Sequence, residues 1–592
     1  MLDPRIYRTW LVAVALAVIV LAFSLGDQQG PQTTTLAPEA FNAGHAYAAM
    51  NRISKQFPNR LPGSPADAAI AAQVGTVLTS DGFSVSRSET EAQTAEGRRT
   101  VVNIVGVRPG LTSGAIVVVA HRDALGSPAI AEASGTAVLE ELAHALSGET
   151  HRRSIVLAST SGSTGASGAL ALAKSLPLQQ PVDAVVVLGN MAGSGLRQPV
   201  VVPWANAQVV APPMLRNTVA AALSQQAQVG TVSPSIGGQF AHLAFPFTAT
   251  EQGPFGAEGE PAVLMSLSGD RAPTAHEPTS PERIAGMGRS ALETINALDA
   301  GPNVPAPSAY LLFSGKVVPA WAIRLFVLAL IAPVLAATVD GMARARRRGH
   351  PILRWVTWVL ASALPFVLAL IPVLGAKLLG VFDARPPGPV SSDAVPPHTA
   401  GIVVLALSVC LLVIGFVFLR PLIIRAFHAG NRGLVPDTAV PGAASGLLLV
   451  LCAATLAIWF SNPFAAALLI PALHLWLWVV APDLRMRRGV ALALLMGGLA
   501  APALVIVYYA RSLGVDPLGL AWSGALLVAG GHLSVLTVIE WSVVAGCALS
   551  LVLIAARSVK QAEPEEQPVS IRGPVTYAGP GSLGGTKSAL RR

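Results

Sequence analysis

Four places in the chain set a polar or ionisable side chain at or near the end of an apolar run, or in a closing loop. AIVVVA runs into His121, Arg122 and Asp123; SIVLAST leads to Ser163 and Thr164; VDAVVVLG ends on Asn190; and His276 stands in AHEPTSPERI. An imidazole two residues from a carboxylate offers either a hydrogen-bonded pair that holds a strand end, or a weak metal or ligand site. Ser163 and Thr164 lie in TSGSTGASG, which is not G-x-S-x-G and has no histidine at a recognised spacing, so it argues against a serine hydrolase. GNMAGSG, from Gly189, lacks the G-x-G-x-x-G pattern of a dinucleotide site. His276 alone reads as a loop or packing histidine.

The elements before these residues must position them. TVVNIVGV, AIVVVA, SIVLAST and VDAVVVLGN read as strands by their β-branched content. SGTAVLEELAHALSG has helical spacing, with Ser134 as N-cap and Gly148 as stop, and ASGALALAKSL is a second helix. Alternation of this kind predicts a doubly wound α/β sheet, with sites at the carboxyl ends of its strands. The stretch 27–317, about 290 residues, is long enough for one sizeable core.

With these segments in order, the chain resembles metallopeptidase family 28, the exported di-zinc aminopeptidases related to glutamate carboxypeptidase. The likeness runs from about Asn51 to Leu298. It is carried by NRLPGSPADAAIAAQVGTVLTSDGFSV, VVNIVGVRPG with AIVVVAHRDA, EASGTAVLEELAHAL, GEPAVLMS and AHEPTSPERI. It implies a zinc-exopeptidase-like mixed sheet, and two zinc ions sharing a bridging Asp, with a Glu as general base on metal-bound water. Carried over residue by residue, it implies a depleted site. His121 matches the first ligand histidine, Asp123 the carboxylate that orients it, and His276 the closing histidine. The bridging Asp falls on Ala131, the catalytic Glu and adjacent ligand Glu on Ser163 and Thr164, and the last Asp ligand on Asn190. Each ion would keep about one protein ligand, against three in a working catalytic zinc site. Glu132, Glu251, Glu258 and Glu277 are further carboxylates whose place the sequence does not fix. The expectation is a pseudo-peptidase without zinc that binds a peptide or an envelope protein. The alternatives are an active zinc exopeptidase with substitute ligands, and a transporter or channel with an accessory exported domain.

The rest of the chain is built for lipid. Of 592 residues 52% are apolar and 12% charged, with a formal net charge of +8. Soluble domains carry about 25% charged residues. One apolar run, 10–26, follows Arg5 and Arg8 and reads as an uncleaved anchor, the alternative being a signal peptide cleaved near the small residues Ser24 and Gly26. Seven more lie near 318–339, 353–376, 400–419, 440–460, 464–481, 490–510 and 535–556, and each is near the length of a membrane helix. Every second connection is rich in arginine, among them Arg344, Arg346, Arg347, Arg348, Arg420 and Arg425, while the alternate ones carry almost no positive charge. That is the positive-inside pattern. It predicts an integral protein of the plasma membrane, with both termini cytoplasmic and 27–317 outside, followed by an all-α membrane domain over 318–560. It also assigns the basic excess to topology, with no nucleic-acid partner. The glycine-rich stretch from Asp516 reads as re-entrant or surface-lying, and 561–592 as a disordered tail. Arg511 and Glu540 are expected to form an ion pair. Cys410, Cys452 and Cys547 all lie in apolar runs, so no disulfide framework is implied.

Overall fold

The computed structural model describes residues 4–125, 129–176, 180–350, 352–382, 388–390, 392, 394–428, 441–480 and 488–558. The expected tail, and Arg432, Arg485 and Arg487, lie outside the described residues.

A seven-stranded mixed sheet forms the centre of the first half. Its strands are β2 (Ser84–Thr94), β3 (Gly97–Arg108), β4 (Ala115–His121), β5 (Ser154–Thr160), β6 (Val182–Leu188), β7 (Val201–Val202) and β8 (Ala262–Met265), in the spatial order β2-β3-β5-β4-β6-β8-β7. β5, β4, β6 and β8 run parallel, and the hairpin β2–β3 and the short β7 add antiparallel edges. Both faces of the centre are covered, which is why AIVVVA and SIVLAST are unbroken apolar runs rather than alternating ones. The expected α/β class is the observed one.

The helices Ala43–Gln56, Ser134–Ala145 and Pro281–Ala300 contribute to the core on one face. The helices Ser167–Ser175 and Ile236–Ala244 contribute to the other, where a single hydrophobic cluster continues from Val117 and Val187 through Leu243 into Ile331, Trp355, Leu447 and Trp476 of the helical half. A second, three-stranded sheet links the halves through the chain itself. In it β1 (Gly26–Asp27) pairs with β10 (Lys316–Pro319), which pairs with β9 (Tyr310–Phe313). The β9–β10 turn, Ser314 and Gly315, has φ of 48° and 76°, the two left-handed residues that a tight hairpin of the right twist requires.

Seven helices among the described residues are long and apolar enough to cross a membrane: Arg5–Phe23, Ala320–Arg347, Ile352–Leu378, Thr399–Phe427, Gly442–Ser461, Gly489–Leu513 and Val535–Ala555. The run near 464–481 differs from expectation. It forms two shorter helices, Pro463–Ala467 and Ile470–Val479, because Pro471 lacks the N–H that an uninterrupted helix would use. Its start is held against the α/β domain, where the Asn462 amide donates to the carbonyls of Leu243 (3.0 Å) and Ala244 (2.9 Å). Further along, His474 meets the hydroxyl of Tyr7, near the start of the first helix, at 2.7 Å. The glycine-rich stretch forms the 14-residue helix Pro517–Gly530. The chain on either side of it stays beside the α/β domain: Arg271 donates to the carbonyls of Arg511 and Ser512, and the ring of Trp541 lies 5.5 Å from that of Phe245. Among the described residues no ion pair joins Arg511 to Glu540. The Arg511 carbonyl is instead an acceptor for Arg271.

Candidate functional site

β4 is the strand at which the chain order reverses: β5 lies on one side of it and β6 on the other. Loops leaving the two sides of such a strand diverge, and the gap they leave at the carboxyl end is where open α/β sheets take ligands. His121 is the last residue of β4, in register with Thr160 at the end of β5.

Arg122 fixes the backbone on which His121 and Asp123 sit. Its fully buried guanidinium pairs with Asp67 at 2.8 Å and donates to the carbonyls of Val102 (2.7 Å) and Ser159 (3.0 Å). Asp67 is itself placed by the first turn of helix Pro65–Ser80, which Ser64 caps, and accepts from Gly63 N (2.9 Å) and Ser161 Oγ (2.7 Å). A buried guanidinium with several acceptors leaves the following residues one place to go.

Asp123 turns away from the ring that the resemblance assigns to it. Its carboxylate accepts from the backbone N–H (2.9 Å) and hydroxyl (2.9 Å) of Ser163, closing a loop with left-handed backbone at Gly162, Gly165 and Ala166. Burial, reinforced by the neighbouring Asp67 charge, raises the Asp123 carboxyl to about 6, although His121 and the Ser163 N–H favour its charged form. His121 Nδ1 has a different partner, Glu251, at 3.5 Å, and Thr160 Oγ1 donates to the other oxygen of that carboxylate at 2.6 Å. Burial acts against a charged imidazole, but the hydrogen bond and charge of Glu251, with Asp123 and Glu132 behind it, outweigh that and raise His121 to about 9. Glu132 lies on the short 3-10 turn Ile130–Ala133, and burial raises it against the pull of His121 and Arg60.

The remaining positions separate. Ala131, the position that the resemblance gives to the bridging Asp, is fully buried. Ser134 does not cap its helix, whose N-cap is Ala133; its hydroxyl donates to the Ala131 carbonyl and accepts from Met191 N at 2.8 Å. Asn190 uses its side-chain oxygen on the N–H groups of Ala192 (3.2 Å) and Gly193 (2.8 Å), and its amide donates to Ser268 Oγ at 2.7 Å. His276 is exposed and lines a neighbouring cavity with Ser194, Arg197 and Glu277, not the one at His121. Glu277 ties that turn together by accepting from Gly195 N (3.0 Å), and Glu258 is exposed at the far end of helix Gln252–Ala257.

His121, Glu132, Ser163, Thr164, Asn190 and Glu251 thus surround one cavity of ≈ 630 Å³. Asp270 and Arg271 join them. Asp270 accepts from the hydroxyls of Thr248 and Thr250 and is raised to about 6, chiefly by burial, with Thr248, Thr250, Gln252 and Arg271 opposing. It follows the end of β8, so the same strand-end logic that singled out His121 would have found it. The cavity has a roof from the other half of the chain: Pro389, Val390, Ala394 and Pro396, between two long apolar helices, and Leu513 at the end of a third. The roof lies directly on the site loop, since a Cβ on Gly388 would meet the Gly165 carbonyl.

Zinc does not fit this arrangement at the positions that the resemblance assigns to it. Ala131 has no donor atom, the Asn190 oxygen is occupied by two backbone N–H groups, and His276 opens into a separate space. Among the described residues no group of three or more His, Cys, Asp and Glu side chains is placed to hold a metal ion.

No protein-family model matches the chain, and no curated protein does. Solved structures do. Glutaminyl cyclase of Porphyromonas gingivalis is similar at 15% identity and a TM-score of 0.34, over 44% of this chain and 99% of that one. The LapA aminopeptidase of Legionella pneumophila is similar at 15% identity and 0.35, over 45% and 73%. A leucine aminopeptidase precursor from Bacteroides thetaiotaomicron is similar at 13% and 0.33, over 45% and 99%.

Proposed function

We propose that this is an integral membrane protein whose α/β domain stands on the outer side, with the C-terminus cytoplasmic. In this reading the domain has lost di-zinc hydrolysis and acts in binding or scaffolding at the cell envelope. The cavity at His121 holds a peptide end or an envelope component. The observation that carries the reading is the state of the Ala131 and Asn190 positions: one has no ligating atom, and the other has its oxygen committed to the backbone of its own turn. A catalytic zinc needs about three protein ligands and an open position. His121 with its nearest carboxylate, Glu251, is one ion pair, and the pair has its own internal partner in Thr160.

The test is elemental analysis of the full chain purified in detergent, with aminopeptidase assays on a panel of substrates. The expected result is zinc well below one equivalent and no chelator-sensitive hydrolysis. Near-stoichiometric zinc together with hydrolysis abolished by a chelator would overturn the reading. The transporter alternative has less support: His474, an ionisable residue inside an apolar run, has its ring taken up by Tyr7 and by the Leu330 carbonyl at 3.0 Å.

A further inference from the structure

Another cavity, ≈ 380 Å³, adjoins the charged one and differs from it in kind. Phe245 and Phe247 of the α/β domain line it together with Val505, Ile506, Leu527 and Trp541 of the helical half. The two cavities share Ala249, Pro389, Val390 and Leu513, so they meet across one apolar collar. Along the helix Arg488–Leu513 the apolar cavity extends from Leu513 to Pro502, which at 1.5 Å per residue is about 16 Å. Half of a hydrocarbon core of about 30 Å is about 15 Å, so this is the depth of one leaflet. Ile506 is 55% exposed, so the cavity opens on a flank that the long apolar helices present outward, not into the closed core. At the other end the charged cavity offers both signs. Glu132 and Asp270 line it beside Arg197, whose exposed guanidinium has no acceptor among the described residues.

We infer that the paired cavities form one site for a membrane lipid, taken from the leaflet on the side of the α/β domain, with its acyl chain in the apolar cavity and a zwitterionic headgroup in the charged one. The inference rests on the binding reading of the charged cavity and names its ligand class. An amphiphile fits because the site changes from apolar to charged across a single collar, at the level where the apolar helices end. A chain of leaflet length fits because the apolar part is one leaflet deep. A zwitterion fits because ammonium and phosphate each have an opposite charge to face.

Gly524 supplies a clean variant. It lines the apolar cavity, and a Cβ there would meet nothing within 4 Å, so a side chain begins at this position without a backbone or side-chain clash, and Gly524→Leu is the variant aimed at that space. The full chain is reconstituted in nanodiscs containing phosphatidylethanolamine with a photoreactive acyl chain, and the adducts are mapped by mass spectrometry. Labelling should concentrate on residues 502–527 and 245–249, and fall at least fivefold in Gly524→Leu. Arg197→Ala should reduce it for phosphatidylethanolamine more than for a neutral diacylglycerol probe. Labelling spread evenly over the exposed helix faces such as Thr399–Phe427, or unchanged in Gly524→Leu, overturns the lipid assignment. If peptides then bind the charged cavity equally well in the wild type and Gly524→Leu, the lipid inference fails while the binding reading stands. Stoichiometric zinc with hydrolysis removes the binding reading whatever the labelling shows.

Discussion

The His121–Glu251 pair should make stability fall as pH rises through the mildly alkaline range. His121 has an ordinary value of 6.5 and is raised to about 9 in the folded chain. Between those values the folded protein holds a proton that the unfolded chain has released. Its stabilisation is therefore complete below 6.5 and is lost as pH climbs toward 9. At 1.36 kcal/mol per pH unit the full contribution is on the order of 3 kcal/mol. In a domain of this size that corresponds to roughly 6–12 °C in Tm. The perturbation that isolates it is Glu251→Gln, which removes the charge and leaves an amide oxygen for Thr160 to donate to. Thermal unfolding of the full chain in detergent is followed from pH 6 to 10 for both proteins, and the difference between the two curves is read. The wild type should lose several degrees more than the variant across that interval. Direct titration of the His121 ring by NMR, assigned with His121→Gln, gives an independent value. A folded-state midpoint at or below 6.5, or Tm–pH curves that run parallel in the two proteins, would refute the argument that Glu251 outweighs burial.

Two further expectations concern what holds the site in place. Asp67→Leu strands the buried Arg122 guanidinium and should cost roughly 3–5 kcal/mol, whereas Asp67→Leu with Arg122→Met should cost clearly less than the sum of the single changes, as read by a double-mutant cycle on thermal or denaturant unfolding. Additive losses would show that the pair is not coupled. Asn462→Ala removes both the cap on helix Pro463–Ala467, where the side chain accepts from Phe464 N and Ala465 N, and two bonds to the α/β domain. About 2–4 kcal/mol should go, with faster proteolysis around 243–247 than elsewhere. Uniform proteolysis would place the loss elsewhere.

The parts of the fold that were legible are those written in local pattern. β4, β5 and β6 appear as unbroken β-branched runs. The long apolar helices were equally plain, since composition alone identifies them. Proline divides two of the runs, since Pro372 and Pro471 each stand in the first turn of a new helix, as kink or helix-end positions. The site was half legible. His121, Asp123, Ser163 and Asn190 are strand-end residues, and the strands bring them together. Their partners were not legible, because nothing at a spacing of 130 residues marks Glu251 as the neighbour of His121. The same holds for the roof. DARPPGPVSSDAVPPH has no periodicity and reads as a plain connection, yet Pro389, Val390 and Pro396 close the cavity by contacts that only the assembled helices create. Ser134, a good cap by type, was drawn into a hydrogen bond with Met191 that sequence spacing does not reveal.

The hydrophobic cluster that runs from Val117 through Leu243 to Trp476 has a mechanical consequence. A domain tethered by a flexible linker can swing, and uptake of a ligand can be a hinge closure. Here the sheet and the helices are welded along a seam, reinforced where β10 leads straight into helix Ala320–Arg347. A swing that opened the charged cavity would have to break this buried seam. In the proposed binding reading, a ligand would then enter beside Pro389, Val390 and Pro396 or sideways between the helices, and not by closure of a hinge.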